Sequence, residues 1–333
     1  MIFDPERIPL AMVAILLAGV AGLITGPMFG NAVPLFWMVC DKVFGKFGSR
    51  LDRPKRKLSD LMTRGLFLTL VAVGFFYLCG KLVDNLAMGF RFGGVTEIVL
   101  LSLTLSAGSV WFSLLKLFFA MTEKKQSKNA FYTIAVTTRT DLSKSDDYTM
   151  TRMGMSLSAR MFDKGIVAPV LWYLIGGLPM AYLYAGFSFL SWRFGREGFS
   201  AGFGKVPSAI EQLMGYVPNV FAGFLLAGAG LLTPTGGMMR AFMALMKPDG
   251  RTPYAEGGVP VTAMANALHV ALNGPTVDLD GMPIKRAWAG PNGATAQLDA
   301  GHLRRAIYIS MMAHLLFLAG MGVSLMLSGL VFG

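Results

Sequence analysis

The sequence predicts an all-α integral membrane protein with about six transmembrane helices, in a range of five to seven, together with amphipathic cytoplasmic helices and loops. Of its 333 residues, 54% are hydrophobic and only 15% are charged, and the mean hydropathy is +0.54. An average soluble domain has about 25% charged residues. The clearest single observation is the uncharged apolar run Gly165–Leu190, which is long enough to cross a bilayer as a helix. These observations exclude an ordinary soluble domain.

Six apolar runs are predicted to span the membrane: Ile8–Thr25, Gly65–Gly80, Val95–Ala120, Gly165–Leu190, Tyr216–Leu232 and Ala306–Val331. The first run follows Asp4 and Glu6 and has no basic start, so we expect a retained helix and no cleaved signal peptide. Residues 28–40 follow a Gly-Pro break and are expected to form a half-helix, an interfacial piece or a separate seventh segment. We expect the six spans to form a single polytopic membrane domain over residues 1–333.

The central run is interrupted by Gly176, Gly177 and Pro179. Two interpretations remain open at this point. Breaks inside a membrane helix often lie near binding sites, because the freed backbone groups must find partners there. Small residues also form notches in which another helix packs closely, and this is the more common use.

The distribution of positive charge predicts the orientation of the chain. The segments 41–64, 121–164 and 233–305 contain 8, 8 and 7 Lys and Arg residues, whereas the segments 81–94 and 191–215 contain 2 and 3. Rich and poor loops therefore alternate, as the positive-inside rule requires. We expect the three rich segments to be cytoplasmic loops and both termini to face away from the cytoplasm. The basic loops are expected to contact anionic lipid. Segment 41–64 lies between two membrane segments, so its basic residues are not expected to bind nucleic acid.

A series of motifs resembles one known family. In chain order these are RTD, GIVAP, LIGGLPMAYLY, GYVPN and AMANALHVALNGP, which begin at residues 139, 165, 174, 215 and 263. Their order is similar to that of the CobD/CbiB family of cobalamin biosynthesis, and the resemblance is clearest over residues 136–290. AmpE-like membrane proteins have a similar but poorer central segment, and the NGP block favours the CobD/CbiB family over them.

The resemblance implies an adenosylcobinamide-phosphate synthase of the bacterial-type cytoplasmic (inner) membrane. Such an enzyme uses ATP to join aminopropanol phosphate to a carboxylate of adenosylcobyric acid, so the implied ligands are a corrinoid and Mg-ATP. Several polar positions of the family motif differ here. Its Glu-Asn-Thr run corresponds to Arg160–Phe162, its KAxNTLDS-like run to Ala185–Ser191, and its Asp-Asp pair to Glu211-Gln212. Its later arginine and glutamate correspond to Val220 and Val261.

Few polar residues are left as candidates for the chemistry. Asp163, Lys164 and Glu211 are the candidate catalytic residues, because they flank the central and fifth spans and could act on an acid, a phosphate or a metal. Each is also explained by an ordinary charge at a helix end or membrane interface. No histidine or cysteine spacing indicates a metal site, so none is predicted.

Six further residues are the candidate substrate-binding groups: Arg139, Asp141, Asn219, Asn266, His269 and Asn273. Asn266 and Asn273 are seven residues apart and are predicted to share one helical face with His269. An ordinary wet face of a cytoplasmic helix also explains this pattern. The following TVDLDGMPIKRAW segment predicts a turn and hairpin, with an anion-binding loop as the alternative.

Two functional hypotheses follow. The chain is either a divergent ligase or a catalytically inactive member of the family that acts as a scaffold or accessory subunit of a membrane complex. The motif replacements favour the second, whereas the overall resemblance favours the first. A transporter or channel has less support, because the predicted spans are nearly free of charge except at their ends.

Overall fold

A computed structural model describes residues 4–53, 56–89, 92–123, 128–143, 145–195, 202–232, 237–247, 250–279, 281 and 283–332. Parts of the three predicted cytoplasmic loops, including Asp280 of the predicted hairpin, lie outside the described residues. The long helices are α1 (Arg7–Phe29), α4 (Leu58–Gly89), α8 (Asp147–Phe162), α9 (Ala168–Phe194), α10 (Lys205–Ala229) and α13 (Ala300–Phe332). The shorter ones are α2 (Leu35–Cys40), α3 (Lys46–Leu51), α5 (Gly93–Ser102), α6 (Gly108–Thr122), α7 (Lys128–Thr138), α11 (Met238–Met246) and α12 (Gly258–Leu268).

The prediction of an all-α membrane protein is confirmed. Five helical segments of the described chain are long and apolar enough to cross a membrane: Arg7–Phe29, Leu58–Gly89, Asp147–Phe194, Lys205–Leu232 and Ala300–Gly329. Asp147–Phe194 is the most enclosed of them, with 67% of its apolar window buried against 28% for Leu58–Gly89. This segment joins α8 and α9 through a π-helical turn at Asp163–Val167, and the other long helices surround it.

The predicted third span, Val95–Ala120, is not one helix. It is divided into α5 and α6 around residues 103–107, where polar and small side chains weaken the helical pattern. Backbone groups freed at the break find partners on other elements: Phe36 N donates to Leu103 O at 2.9 Å, and Ser106 N donates to Gly165 O at 3.0 Å. A break inside the bilayer is tolerated when its polar groups are paired in this way.

The predicted loops are more helical than the sequence indicates. Residues 41–51 form a π-helical turn followed by α3, and α4 continues to Gly89 through most of the predicted loop 81–94. The largest correction concerns 121–164, where α8 is buried on nearly all sides and is not an amphipathic surface helix. Its Met, Gly and Ser side chains are small or adaptable enough to pack among α6, α7 and α13. Residues 28–40 hold the end of α1 and the short α2, so they form no separate span.

The predicted break in the central run is confirmed. Gly176 and Gly177 have non-helical backbone angles, and the φ of Gly177 is +69°, a value that glycine adopts without the strain of a side chain. Two freed carbonyls are capped by the start of the chain, because Asp4 N donates to Leu174 O at 3.2 Å and an Arg7 Nη1 donates to Tyr173 O at 3.4 Å. The freed carbonyls at the break are therefore paired within the protein, as a break inside a membrane helix requires.

Four two-residue strands follow α12: β1 (Leu272–Asn273), β2 (Thr276–Val277), β3 (Pro283–Ile284) and β4 (Trp288–Ala289). The strands β1 and β4 pair antiparallel, as do β2 and β3, so the predicted hairpin is confirmed as two nested pairs. The hairpin lies against α8, where the Arg152 guanidinium stacks 4.7 Å from the centre of the Trp288 ring. This contact fixes the hairpin to α8.

The start of α8 depends on one capping carboxylate. Asp146 Oδ1 accepts a hydrogen bond from Thr149 N at 2.9 Å. Hydrogen bonding to the Thr149 side chain, and next to this Thr149 N, lowers the pKa of Asp146. We expect Asp146→Ala to lower the free energy of unfolding by about 1 kcal/mol, as loss of an N-cap does. The stabilisation is present above the ordinary carboxyl pKa and is lost as the pH falls through the lowered value. Thermal unfolding at neutral and acidic pH tests this, with Asp147→Ala as the matched control; equal effects of the two changes would contradict it.

Candidate functional site

A solvent-open cleft lies where the central helix meets the hairpin and the loop after α7. It contains about 960 Å³ of empty space, counting its open mouth. Its lining comes from α2, the end of α7 and the turn after it, α8, the π-helical turn, α9, the turn before α12 and the hairpin. The cleft therefore joins parts of the chain that are far apart in sequence, and it is shared between membrane-embedded and polar elements.

Four cationic side chains line this cleft: Arg139, Arg160, Lys164 and Arg286. Glu256 is the single acidic residue among the described residues that line it. Positive charges that converge in a confined space attract anions more strongly than the same charges spread over a surface. The cleft is thus suited to a ligand with several negative charges, such as a phosphate ester.

Arg160 is held from several sides. One of its Nη atoms donates to Asn273 Oδ1 at 2.9 Å, and Asn273 Nδ2 in turn donates to the backbone oxygen of Glu256 at 2.8 Å. Gly257, with φ +109°, lies so close that an added Cβ would approach the Arg160 Nε to 2.9 Å. That Nε is buried and has no hydrogen-bond partner in the described chain. The arginine is therefore positioned in advance, with its Nε enclosed against Gly257.

Glu256 lies at the same end of the cleft. Its Oε2 accepts a hydrogen bond from Ala287 N at 2.8 Å, which ties the turn before α12 to the hairpin. Arg160 is near enough to interact electrostatically with both Glu256 and Arg286. This end of the cleft thus combines two guanidinium groups with one carboxylate.

The other end of the cleft is aromatic. Trp192 packs against Trp37 with ring centres 5.7 Å apart, and its Nε1 donates to Thr137 O at 2.8 Å. The Arg139 guanidinium stacks 5.3 Å from the centre of the Trp192 ring. Arg139 adopts φ +54°, an uncommon value for a residue other than glycine, in the turn after α7. The turn and the stacking together direct this cation to the cleft.

Lys164 connects the cleft to a buried polar network. Its Nζ lies 3.1 Å from Glu211 Oε1, and the exposed fractions of the two side chains are 15% and 1%. The same Oε1 accepts hydrogen bonds from Tyr254 at 2.6 Å and Ser188 at 3.3 Å. Burial of an ion pair is tolerated only when such additional bonds compensate for lost hydration. Glu211 is therefore a built-in partner of Lys164 and not a simple charge at the end of a helix.

Tyr254 remains a hydrogen-bond donor in this network. Burial, followed by the nearby Glu211 carboxylate, raises the pKa of Tyr254 well above its usual value. Its ring also lies 4.8 Å from Lys164 Nζ. Gly215 permits this approach, because an added Cβ there would collide with the Tyr254 hydroxyl. The loop before α12 is thus fixed to α10 beside the cleft.

Asp163 and Asn219 form a second buried pair behind Lys164. Asn219 Nδ2 donates to Asp163 Oδ2 at 2.6 Å, while Asn219 Oδ1 accepts from Val259 N at 3.0 Å. Asp163 Oδ1 has no hydrogen-bond partner in the described chain. Asp163 also lies near enough to Lys164 and Glu211 to interact electrostatically with both. The three candidate catalytic residues are therefore brought together, although only Lys164 lines the cleft.

The candidate substrate-binding residues are divided by the fold. Arg139 lines the cleft, Asn273 holds Arg160, and Asn219 holds Asp163. Asp141, Asn266 and His269 do not line the cleft: Asp141 closes a turn with Ser143, Asn266 bonds back to Thr262 in its own helix, and His269 is exposed.

The predicted shared helical face of Asn266, His269 and Asn273 is wrong. Helix α12 ends at Leu268, His269 has φ +56°, and Asn273 belongs to β1. The chain must leave the helix there so that Asn273 can reach Arg160.

Sequence reasoning missed Arg160, Glu256, Arg286 and Trp192 as site residues. One signal was available, because Arg160 and Lys164 are four residues apart and such residues lie on one face of a helix. The hairpin containing Arg286 was recognised as a candidate anion-binding loop. No local pattern distinguishes Glu256 or Trp192, since their neighbours in the cleft come from remote segments.

The described residues contain no group of three or more His, Cys, Asp or Glu side chains arranged to hold a metal ion. Mg²⁺ that enters with a nucleotide is held largely by phosphate oxygens and water and needs only one or two protein carboxylates. The cationic residues of the cleft suit the phosphate groups of such a complex.

Comparison with known proteins identifies the family. Residues 20–310 match the family described as CobD/Cbib protein. The chain belongs to the CobD/CbiB family. A relative named "Probable cobalamin biosynthesis protein CobD" from Methanothermobacter thermautotrophicus is 25% identical over 315 residues, which cover 94% of this chain and 98% of the relative. The CobD/CbiB match confirms the resemblance on which the sequence hypothesis rests.

Two further CobD/CbiB relatives are named "Cobalamin biosynthesis protein CobD". The relative from Brucella anthropi is 24% identical over 254 residues, covering 75% of this chain and 77% of the relative. The relative from Rhodobacter capsulatus is 32% identical over 141 residues, covering 42% and 43%. No solved structure matches the chain.

Proposed function

We propose that this CobD/CbiB protein is a membrane-bound adenosylcobinamide-phosphate synthase. In this reaction ATP activates a carboxylate of adenosylcobyric acid, and the amine of aminopropanol phosphate displaces the activated oxygen. An amide bond forms, the carboxylate oxygen leaves on the phosphoryl group of ATP, and the amine loses a proton. The observation that carries the proposal is the cleft lined by four cations, since all three reactants are anionic or carry an anionic group.

The cationic residues would act by positioning and by neutralising charge. Arginine binds carboxylates and phosphates through parallel donors, and preorganised donors stabilise charge that develops during acyl and phosphoryl transfer. We assign Lys164 to the end of the cleft at which the reaction takes place. Lys164 connects the cleft to the buried carboxylates of Glu211 and Asp163, and these carboxylates can exchange a proton. Arg139 and the pair Arg160–Asn273 are assigned to substrate binding.

The location of the site fits a membrane-bound reaction. We place the protein in the cytoplasmic (inner) membrane as one polytopic domain, with the cleft on the cytoplasmic side and both termini on the other side. This orientation follows from the distribution of Lys and Arg. ATP and the corrinoid would then reach the cleft from the cytoplasm.

A second candidate function is that of an inactive scaffold or accessory subunit of a membrane complex. It is favoured by the apolar residues that stand where the family motif has polar ones. Met161 and Phe162 are buried in the core, and Ala185, Phe187, Phe189 and Leu190 are buried between helices. A chain that uses these positions only for packing would retain the fold without the ligase activity.

An assay of product formation tests the two candidates. We expect protein in nanodiscs, given adenosylcobyric acid, aminopropanol phosphate and Mg-ATP, to form the amidated corrinoid as detected by mass spectrometry. Arg160→Gln should reduce the rate at least about tenfold, since a charged hydrogen-bond donor is lost. The exposed Arg304, which lies outside the cleft, provides the control Arg304→Gln. Absence of product, under conditions in which another family member turns over, would reject the ligase and favour the accessory subunit.

A further inference from the structure

Helix α2, the π-helical turn Asp41–Gly45 and helix α3 form one continuous helical segment, Leu35–Leu51. Phe36 and Phe44, on its buried face, both pack against Phe76 of α4, with ring centres 5.9 and 5.5 Å away. These two residues are eight apart, which is about 12 Å along a helix. Because both contact the same residue of α4, the segment crosses α4 and does not run alongside it.

The segment also crosses the end of the central helix. Arg193 Nε donates to Asp41 Oδ1 at 2.8 Å, and an Arg193 Nη2 donates to Ser49 Oγ at 3.0 Å. A Cβ added at Gly48 would collide with the Phe194 ring, so the two helices are in close contact there. Arg193 and Phe194 are the last residues of α9. The segment therefore lies where the central apolar run ends, at the level expected for the boundary between hydrocarbon and headgroups.

The outer face of the segment is divided into two stripes. One consists of the exposed cations Lys42, Lys46 and Arg50. The other consists of apolar side chains with exposed fractions of 59%, 51% and 44%, namely Val39, Val43 and Phe47. Residues four apart drift by about 40° around a regular α-helix. The wider π-helical turn offsets this drift, so each stripe stays on its own side of the segment.

The cations of this surface have no acidic partner in the protein. Lys42, Lys46 and Arg50 form no hydrogen bond or ion pair with another residue in the part of the chain that the structure describes. Asp41, the acidic residue within the segment, is bound by Arg193. Three neighbouring positive charges at a membrane boundary attract anionic headgroups.

The apolar stripe identifies membrane lipid as the occupant of this surface. Phe44 contacts Phe75 of α4 with ring centres 5.1 Å apart, and Phe75, Phe67 and Leu70 are exposed on the outside of α4. That helix belongs to Leu58–Gly89, the least enclosed of the five candidate membrane spans of the described chain. The stripe thus continues a lipid-facing surface. A nucleic acid or a soluble anion would neutralise the cations but leave the stripe in water.

We propose that Leu35–Leu51 lies in the plane of the membrane interface and binds the headgroups of anionic phospholipids through Lys42, Lys46 and Arg50. The apolar stripe enters the acyl region, and the long cationic side chains extend along it to the phosphates. This surface is narrower than the whole basic segment 41–64, and its apolar half was not evident as a stripe in the sequence. The inference does not depend on the ligase function, since an accessory subunit would have the same surface.

Native mass spectrometry of the full-length protein tests the lipid preference. Protein released from nanodiscs with equal amounts of phosphatidylglycerol and phosphatidylcholine, matched in acyl chains, should retain phosphatidylglycerol preferentially. Each cation near an anionic surface contributes about fivefold in affinity. Lys42→Gln/Lys46→Gln/Arg50→Gln should therefore lower the preference at least about tenfold, whereas Lys42→Arg/Lys46→Arg should retain it. Equal retention of the two lipids by the unmodified protein would overturn the proposal.

A charge-matched variant separates this surface from the net charge of the protein. Lys285→Gln/Arg304→Gln/Arg305→Gln removes three exposed cations at other places. We expect it to lower the preference by less than about threefold, because charges beyond a Debye length are screened. Equal losses in the two triple variants would show that net charge determines binding, and the proposed surface would be rejected.

Two further measurements test the fold of the variants and the role of the apolar stripe. In nanodiscs of phosphatidylcholine alone, the variant lacking Lys42, Lys46 and Arg50 should melt close to the unmodified protein, and it should lose only the added stabilisation by phosphatidylglycerol. Val43→Asn/Phe47→Asn keeps the cations and should weaken retention of phosphatidylglycerol. Unchanged retention in that variant, or full displacement of the lipid by free glycerol phosphate, would contradict the in-plane position.

Discussion

Lys164→Met is expected to lower the free energy of unfolding by about 3 kcal/mol, because it leaves the Glu211 carboxylate buried without its cation. Glu211 is 1% exposed, and the hydrogen bonds from Tyr254 and Ser188 compensate only part of the lost charge interaction. The double variant Lys164→Met/Glu211→Leu removes both charges and should be more stable than the single variant. Thermal unfolding in detergent, followed by size-exclusion chromatography, measures the order of the three proteins.

The opposite order would contradict this account of the pair. If the double variant were less stable than Lys164→Met, the Glu211 carboxylate would stabilise the fold through Tyr254, Ser188 and Tyr184 alone. Lys116→Met offers a control, since the half-buried Lys116 side chain of α6 lies outside the network and stacks on the Phe112 ring, a contact that a methionine side chain can also make. We expect that variant to keep the stability of the unmodified protein.

Gly22→Ala is expected to separate α1 from α6 and to lower the free energy of unfolding by about 1–3 kcal/mol, as overpacking does. A Cβ at position 22 would lie 2.8 Å from the carbonyl carbon of Gly108 and would also collide with Ser109 N. These are backbone atoms, which cannot move aside as a flexible side chain can. Small residues at such contacts allow membrane helices to approach closely.

Gly74→Ala is the matched control. Gly74 also lies inside a long membrane helix, but no heavy atom lies within 4 Å of its added Cβ. That variant should retain or slightly raise the melting temperature, because alanine favours a helix more than glycine does. Equal losses of stability in the two variants would show that helix propensity, and not the α1–α6 contact, determines the effect.

The sequence predicted the membrane class because hydrophobic length is a local property of the chain. Five of the predicted spans correspond to long helices, and the break at Gly176 and Gly177 was visible as a pair of glycines. The division of Val95–Ala120 into α5 and α6 was missed. Its freed backbone groups are satisfied by Phe36 and Gly165, and these long-range partners leave no trace in the hydropathy of the segment.

The site was only partly predictable for a related reason. Asp163, Lys164 and Glu211 were selected because they stand beside apolar runs, and the fold does bring them together. Polarity alone could not separate Asn273, which holds Arg160, from Asn266, which bonds within its own helix. The replacement of a motif glutamate by Arg160 also appeared to remove polar function, whereas Arg160 lines the cleft as one of its cations.

The π-helical turn Asp163–Val167 sets the rotational phase between α8 and α9. Each residue of a regular α-helix turns the chain by about 100°, so a wider turn changes which faces of the two halves are aligned. Arg160 before the turn points to the hairpin, while Trp172, which follows the turn and precedes the break at Gly176, donates from its Nε1 to Met214 O of α10 at 3.2 Å. The helical segment up to that break can therefore serve the open cleft with one face and pack against α10 with another.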